Sequence, residues 1–283
     1  MKPPAFSYHR PETIEEALQS LASFGAEAKV LAGGQSLVPL MSMRLAAPAH
    51  LVDINHLPAL DTVAVEPGGV RVGALARHAR IERDDAAYAA LPLLRQALSQ
   101  VAHPTIRNRG TTVGSLVHAD PAAEMTAVLA VLGGSVTLRT TSGEREVGAA
   151  DFFVGPMESD LRVGELAVAA YFPVPAGNCG TAFVELSRRH GDYALCGVAA
   201  VVTVEGDAVT AARVGLISVG PGPVVVDLEG ALRDGRPDPA GVRELVDAAI
   251  DPETDIHASA DYRRNLAHVL TFRALGQATA RAA

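Results

Sequence analysis

The sequence predicts an α+β fold in three lobes, the last distinct from the first two. Three observations carry this reading. Helical stripes alternate with short β-rich runs through the first half of the chain. Pro173, Pro175, Gly177 and Gly180 then break the pattern past its middle. Beyond the break come three strand-like runs followed by two helices. The implied lobes are 1–55, 56–175 and 176–283.

The first lobe holds the clearest helix, from Thr13 to Phe24. Thr13 can cap it, Glu16 completes a capping box, and Gly25 stands where a C′ glycine belongs. Ile14, Ala17, Leu18, Leu21 and Ala22 form one apolar stripe. Strands are expected at Lys29 to Leu31 and at Leu51 to Ile54, with a glycine-bearing turn between them. In the second lobe a strand fits Val70 to Gly73, and helices fit His78 to Asp84 and Tyr88 to Val101. A further helix fits Pro121 to Leu132, with Pro121 in its first turn and Asp120 as candidate cap. Strands follow at Ser135 to Arg139, Glu144 to Val147 and Glu165 to Phe172. The last lobe is read as strands at Thr181 to Leu186, Gly197 to Val204 and Ala211 to Ser218. Helices at Pro239 to Ala249 and Tyr262 to Ala280 close it.

Composition removes several classes of function. With 283 residues and a net charge of −8, the chain has no basic surplus to neutralise phosphates, so no nucleic-acid partner is expected. Its apolar run Ala194 to Val204 is too short to span a bilayer, and no secretory signal is visible, so a cytoplasmic location is expected. Cys179 and Cys196 are the only cysteines. They are too few for an iron–sulfur cluster, which takes about four thiolates, and too far apart to suggest zinc. Neither His50 with His56 nor His103 with His118 has the carboxylate or thiolate framework of a metal site.

Two segments carry the chemistry. In Leu31-Ala32-Gly33-Gly34-Gln35-Ser36-Leu37, a strand runs into paired glycines. Paired glycines let backbone N–H groups approach a diphosphate without Cβ obstruction. Gln35 and Ser36 add donors, and a helix opening at Leu37 adds a favourable dipole end. The segment is neither the spaced glycine fingerprint of the dinucleotide-binding fold nor a P-loop. The second segment, Arg109-Gly110-Thr111-Thr112-Val113-Gly114-Ser115 and on through His118, Asp120 and Glu124, combines hydroxyls, glycines and carboxylates. Thr111, Thr112 and Ser115 suit phosphate oxygens. Glu124 or Asp120 suits ribose hydroxyls, since an ionised acid accepts bonds from vicinal diols. Asp120 also fits a plain helix cap, and His118 a packed surface histidine.

Together these segments resemble the FAD-binding medium subunit of the molybdenum hydroxylases, the group of carbon monoxide dehydrogenase, xanthine dehydrogenase and nicotine dehydrogenase. The resemblance runs from Pro4-Ala5-Phe6-Ser7-Tyr8 through Leu51-Val52-Asp53-Ile54 to Tyr262-Arg263-Arg264 and Phe272-Arg273-Ala274-Leu275. It implies a p-cresol methylhydroxylase/vanillyl-alcohol-oxidase-like FAD-binding fold of two α/β lobes, with a C-terminal α+β domain. It implies that Ala32 to Ser36 wrap the pyrophosphate, with Thr111 to Ser115 as second clamp and Val101 among the cofactor contacts. Glu124 falls where relatives place an acid near the adenosine. Leu166 or Ala167 falls where a backbone group meets the flavin ring. Asp192-Tyr193-Ala194 matches a stretch near the isoalloxazine, where Tyr193 is either a ring cover or a core tyrosine. Two departures stand out. Val113 replaces a glycine of the clamp, and its β-branched side chain would resist a positive φ. A lysine that relatives often carry near Val184-Glu185 is missing, so no ligand role is assigned there.

The resemblance further implies a relay. A large partner subunit with a molybdenum cofactor oxidises the substrate, and a small partner carries two [2Fe–2S] clusters. FAD on this chain delivers the electrons to NAD, oxygen or a quinone. The assembly implied is a dimer of heterotrimers. Two other readings stay open: a stand-alone FAD-dependent oxidoreductase, and a non-enzymatic scaffold with a degraded flavin site.

Overall fold

The computed structural model describes residues 2–282. The chain starts with β1 (Ser7–His9), α1 (Ile14–Phe24), β2 (Ala28–Leu31), α2 (Leu37–Ser42) and β3 (His50–Asp53). These strands form a parallel sheet in the order β1-β3-β2. Helix α1 starts as its sequence suggests, with Thr13 Oγ1 accepting from Glu16 N–H at 3.1 Å. The reciprocal bond differs from a capping box, because the Glu16 carboxylate accepts from Glu12 N–H. Of the predicted stripe, Ala17, Leu18 and Leu21 are buried, Ile14 is half-buried and Ala22 is exposed.

Next come β4 (Val63–Glu66) and β5 (Gly69–Gly73), then α3 (His78–Glu82), α4 (Asp85–Ala90), α5 (Pro92–Leu98), α6 (Pro104–Arg107), α7 (Thr112–His118) and α8 (Glu124–Leu132). After them run β6 (Ser135–Arg139), β7 (Glu144–Gly148), α9 (Ala149–Phe152), β8 (Phe153–Gly155), β9 (Glu158–Ser159) and β10 (Leu166–Pro173). Strands β4, β5, β10, β6 and β7 make one antiparallel sheet in that order. The helix expected from Tyr88 to Val101 is two helices. Pro92 offers no N–H and holds Leu91 out of the helical region, at φ −146° and ψ 82°. The helix expected from Pro121 starts three residues late, at Glu124. Asp120 does not cap it; its carboxylate accepts from Ala122 N–H at 2.9 Å, a local turn. Ala119, at φ 52°, has already ended α7, a helix the sequence reading does not contain.

The last part contains β11 (Cys179–Ser187), β12 (Ala194–Glu205), β13 (Ala208–Ile217) and β14 (Val224–Asp227), an antiparallel sheet in chain order. Helices α10 (Pro239–Ala249) and α11 (Ala260–Ala282) follow. This sheet is buried on both faces, which explains the unbroken apolar run of β12. Val198, Ala200 and Val202 pack beneath α11, while Ala199 and Ile217 join the core shared with the first half of the chain. Helix α11 lies so close that a Cβ on Gly180 would fall 1.8 Å from Ala278 O. No described helix is long and apolar enough to cross a membrane.

Candidate functional site

Strand β2 delivers the chain to the first turn. Gly34 adopts φ +72°, a conformation that favours glycine. The side-chain amide of Gln35 does not project outward as a ligand; it donates to Gly33 O at 3.1 Å and braces the turn. Ser36 precedes α2 without capping it, so its hydroxyl is uncommitted there. Leu31, Ala32 and Leu37 are half-buried around the turn. Among the described residues, the N–H groups of Gly33, Gly34, Gln35 and Ser36 donate to no protein acceptor. With only six residues, α2 adds little dipole, so the donors of this turn are its amides.

The second turn joins α6 to α7. Thr111 caps α7, accepting from Gly114 N–H at 3.2 Å, and a Cβ on Gly114 would lie 2.5 Å from that hydroxyl. Two expectations need correction. Val113 is an ordinary helical residue, 2% exposed and outside the positive-φ positions, so its branched side chain strains nothing. Thr112 is fully buried, and its hydroxyl pairs with His78 Nδ1 at 3.1 Å instead of facing a ligand. Burial, with Arg107 nearby, pushes His78 down to about 4, so this partner is neutral. Ser115 stays half-buried, and the amides of Thr111 and Val113 have no protein acceptor among the described residues.

The two turns touch. A Cβ on Gly33 would fall 2.5 Å from Arg109 O and 2.8 Å from Gly110 Cα. Two side chains that the sequence reading passed over, Asn55 and Arg77, tie them together, and the backbone of His78 holds the second turn. Asn55 Nδ2 donates to Ala32 O at 2.9 Å. Arg77 donates to both Asn55 Oδ1 and Arg109 O. His78 N–H donates to Gly110 O at 2.9 Å. No local pattern announces such a tie, since its partners are far apart in sequence. Only Asn55, two residues after the end of β3, where the Asp53 carboxylate accepts its N–H, has a turn signature.

Beside the turns, the acids form a group of their own. Burial pushes Glu124 up to about 7, with Asp120 adding to the rise. Burial and Glu124 push Glu185 up to about 8, and Glu185 Oε2 is buried without a hydrogen-bond partner. Asp120 also lines a cleft of about 960 Å³ with Asp192, Tyr193, Ser218 and Arg263. Tyr193 is 73% exposed there, so it is not a core tyrosine. Glu124 thus neighbours the Asp120–Tyr193 side. His118 ends α7 half-buried. Val101 is held through its carbonyl, which accepts from Arg107 at 3.0 Å. Leu166 and Ala167 are buried in β10 opposite Arg139 and Leu138. A register shift after Ala167 leaves Val168 O accepting from Ala74 N–H, two residues before Ala76, whose carbonyl accepts from Thr112 N–H.

Comparison with known proteins places this geometry. Residues 4–175 match the FAD binding domain in molybdopterin dehydrogenase, and residues 181–278 the CO dehydrogenase flavoprotein C-terminal domain. The chain belongs to the FAD-binding medium subunits of the molybdenum hydroxylases. The medium subunit is 38% identical to the 6-hydroxypseudooxynicotine dehydrogenase complex subunit alpha of Paenarthrobacter nicotinovorans, covering 100% of this chain and 97% of that one. It is also 38% identical to the caffeine dehydrogenase subunit beta of Pseudomonas sp. (strain CBB1), over 99% and 97% of the two chains. Its mixed α/β fold matches a carbon monoxide dehydrogenase chain from Hydrogenophaga pseudoflava with a TM-score of 0.94, at 35% identity and over 100% of both chains.

The medium subunit's residues fit FAD. Buried N–H groups without acceptors are rare because each forfeits a hydrogen bond. Here Gly33, Thr111 and Val113 bring such groups to one place. A diphosphate would supply the acceptors they lack.

Proposed function

We propose that this medium subunit carries electrons through bound FAD, from [2Fe–2S] clusters on a small partner subunit to NAD, oxygen or a quinone. Substrate oxidation belongs to a molybdenum cofactor on a large partner. The working assembly is a cytoplasmic dimer of heterotrimers. The reading draws support from relatives that are parts of complexes, and from the similar structure of a carbon monoxide dehydrogenase that lacks the Mo-pyranopterin moiety of its molybdenum cofactor. The fold is of the p-cresol methylhydroxylase/vanillyl-alcohol-oxidase type, divided at 1–55, 56–175 and 176–283.

The observation that carries the proposal is the abutment of two turns with unpaired amides. Bound FAD supplies the step between one-electron and two-electron transfer. The protein holds and shields it. The amides of Gly33 to Ser36, Thr111 and Val113, with the hydroxyls of Ser36 and Ser115, bind the diphosphate. Leu31, Ala32, Leu37, Gly110, Gly114 and Val101 shape the walls of that gap. Glu124 and Asp120 accept from ribose hydroxyls, with Glu124 near the adenosine part, and His118 lies beside them. Tyr193 and Asp192 cover the ring at the cleft, and the β10 backbone at Leu166 and Ala167 meets its edge.

Purification from the native host tests the whole. Yellow protein that releases FAD on denaturation, together with two partners bearing iron and molybdenum, is the expected result. A colourless chain would remove the flavin role, and a yellow chain without partners would favour a stand-alone enzyme. Reduction of the bound flavin by NADH would select the NAD-linked relay; no reduction would leave oxygen or a quinone.

A further inference from the structure

We propose that Arg77 and Asn55 form a positioning relay that aims the first turn at the diphosphate. The inference rests on the reading that the two turns hold that diphosphate. Neither residue contributes a group to the ligand in this proposal. They act through the backbone.

The peptide linking Ala32 and Gly33 decides the matter. In a trans peptide the carbonyl and the following N–H point to opposite sides. Asn55 Nδ2 holds Ala32 O at 2.9 Å, so Gly33 N–H faces the other way, where it has no protein acceptor among the described residues. A carbonyl turned into the gap instead would repel a phosphate. An asparagine amide does this only in one of its two flips, with nitrogen toward Ala32. Arg77 fixes the flip from the far end, because a guanidinium only donates and therefore demands Asn55 Oδ1. Asp53 Oδ1 reinforces the choice by accepting from Asn55 Nδ2 at 2.6 Å, and Tyr8 holds the other Asp53 oxygen at 2.7 Å.

The same guanidinium also reaches the second turn by donating to Arg109 O, the atom that Gly33 faces. The backbones of Arg77 and Thr111 pair as an antiparallel bridge, so the arginine is anchored to that turn. Arg77 therefore holds the lip of one turn directly and that of the other through Asn55. A forked donor does both at once; a lysine ammonium, a compact point charge, does not reproduce the fork.

Binding measurements on the full chain, stripped of FAD, test the relay. Asn55→Asp keeps the shape and the partner of Arg77 but cannot donate to Ala32 O. Arg77→Gln and Arg77→Lys remove the fork, the second while keeping charge. The expected result is weaker binding of FAD and of ADP, by roughly 10- to 100-fold for Asn55→Asp and Arg77→Gln. Arg77→Lys is expected to resemble Arg77→Gln. Thermal melting of the apo chain serves as the control for folding, and Asn55→Asp keeps the test open should the Arg77 variants fold poorly. Unchanged ADP binding in Asn55→Asp, or rescue of binding by Arg77→Lys, would overturn the relay while leaving the diphosphate reading intact. If the unsubstituted chain binds FAD but not ADP, the diphosphate reading itself fails, and the relay with it.

Discussion

Glu185 and Glu124 present the sharpest conflict between charge and burial in the chain. Glu185 projects from β11, with Oε2 buried and unpaired, and Glu124 stands near enough to raise its pKa further. Two carboxylates so placed titrate as a pair, and neither ionises easily. Burial lifts Glu124 to about 7, and burial with Glu124 lifts Glu185 to about 8. Unfolded glutamates titrate near ~4.3. A folded-state pKa above the unfolded one means the native state binds more protons between those values. The resulting stability is fully present below pH ~4 and is lost as pH rises through 7 and 8. Melting temperatures of the apo chain should therefore fall between pH 6 and pH 9 on account of this pair. Glu185→Gln keeps the shape of the neutral acid and removes one titration. It should flatten that fall and raise the melting temperature at pH 9. Identical pH dependence in the two proteins would show that the pair is not protonated in the native state.

At the scale of elements, two glycines make contacts that no other residue permits, for different purposes. Gly33 abuts backbone atoms of the second turn, and a Cβ there would lie 2.5 Å from Arg109 O. Gly180 lets α11 rest on β11, where a Cβ would lie 1.8 Å from Ala278 O. Overpacking of this kind costs about 1–3 kcal/mol. Gly33→Ala should push the turns apart and lower the FAD content of purified protein. Gly180→Ala should lower the unfolding free energy by that amount while ADP still binds. Equal FAD loss in both would mean that the turns respond to general loosening, not to their own spacing. The contrast also marks what was legible in the sequence. Paired glycines after a strand announced the first turn, and the apolar stripe of α1 and the long apolar run of β12 announced their burial. Strands β4 and β14 were not legible, because Val63–Glu66 buries none of its residues and Val224–Asp227 buries only Val226. Helix α7 was hidden for another reason: its first turn carries Thr112, Val113 and Gly114, poor helix formers held by the Thr111 cap and by burial of Val113 and Leu116. The polar ties through Asn55, Arg77 and His78 are tertiary facts, with no local period to betray them.

At the scale of the whole molecule, the net charge of −8 is less informative than its local distribution. Salt at physiological strength screens exposed charges beyond about 8 Å. What a small charged molecule meets in the cleft beside Tyr193 is therefore set by the charges that line it. Its walls carry Asp120, Asp192, Asp251, Glu253 and Asp255 against Arg188 and Arg263. Arg263 is already engaged: it donates to Asp255 at 2.7 Å and to Leu195 O at 2.7 Å. Hydrogen bonds from Ala258 and His257 N–H, with Arg263, hold Asp255 down to about 2, so it remains charged at neutral pH. A cleft lined this way concentrates cations and disfavours anions, and the effect weakens as salt rises. If electrons leave the flavin through this cleft, the assembled complex should reduce a cationic dye such as methylene blue faster at low salt than at high salt. Ferricyanide, an anion, should show the opposite trend. Asp251→Asn combined with Glu253→Gln should bring the two salt profiles together without changing FAD content. Profiles that stay apart in the double variant would move the exit of electrons away from this cleft.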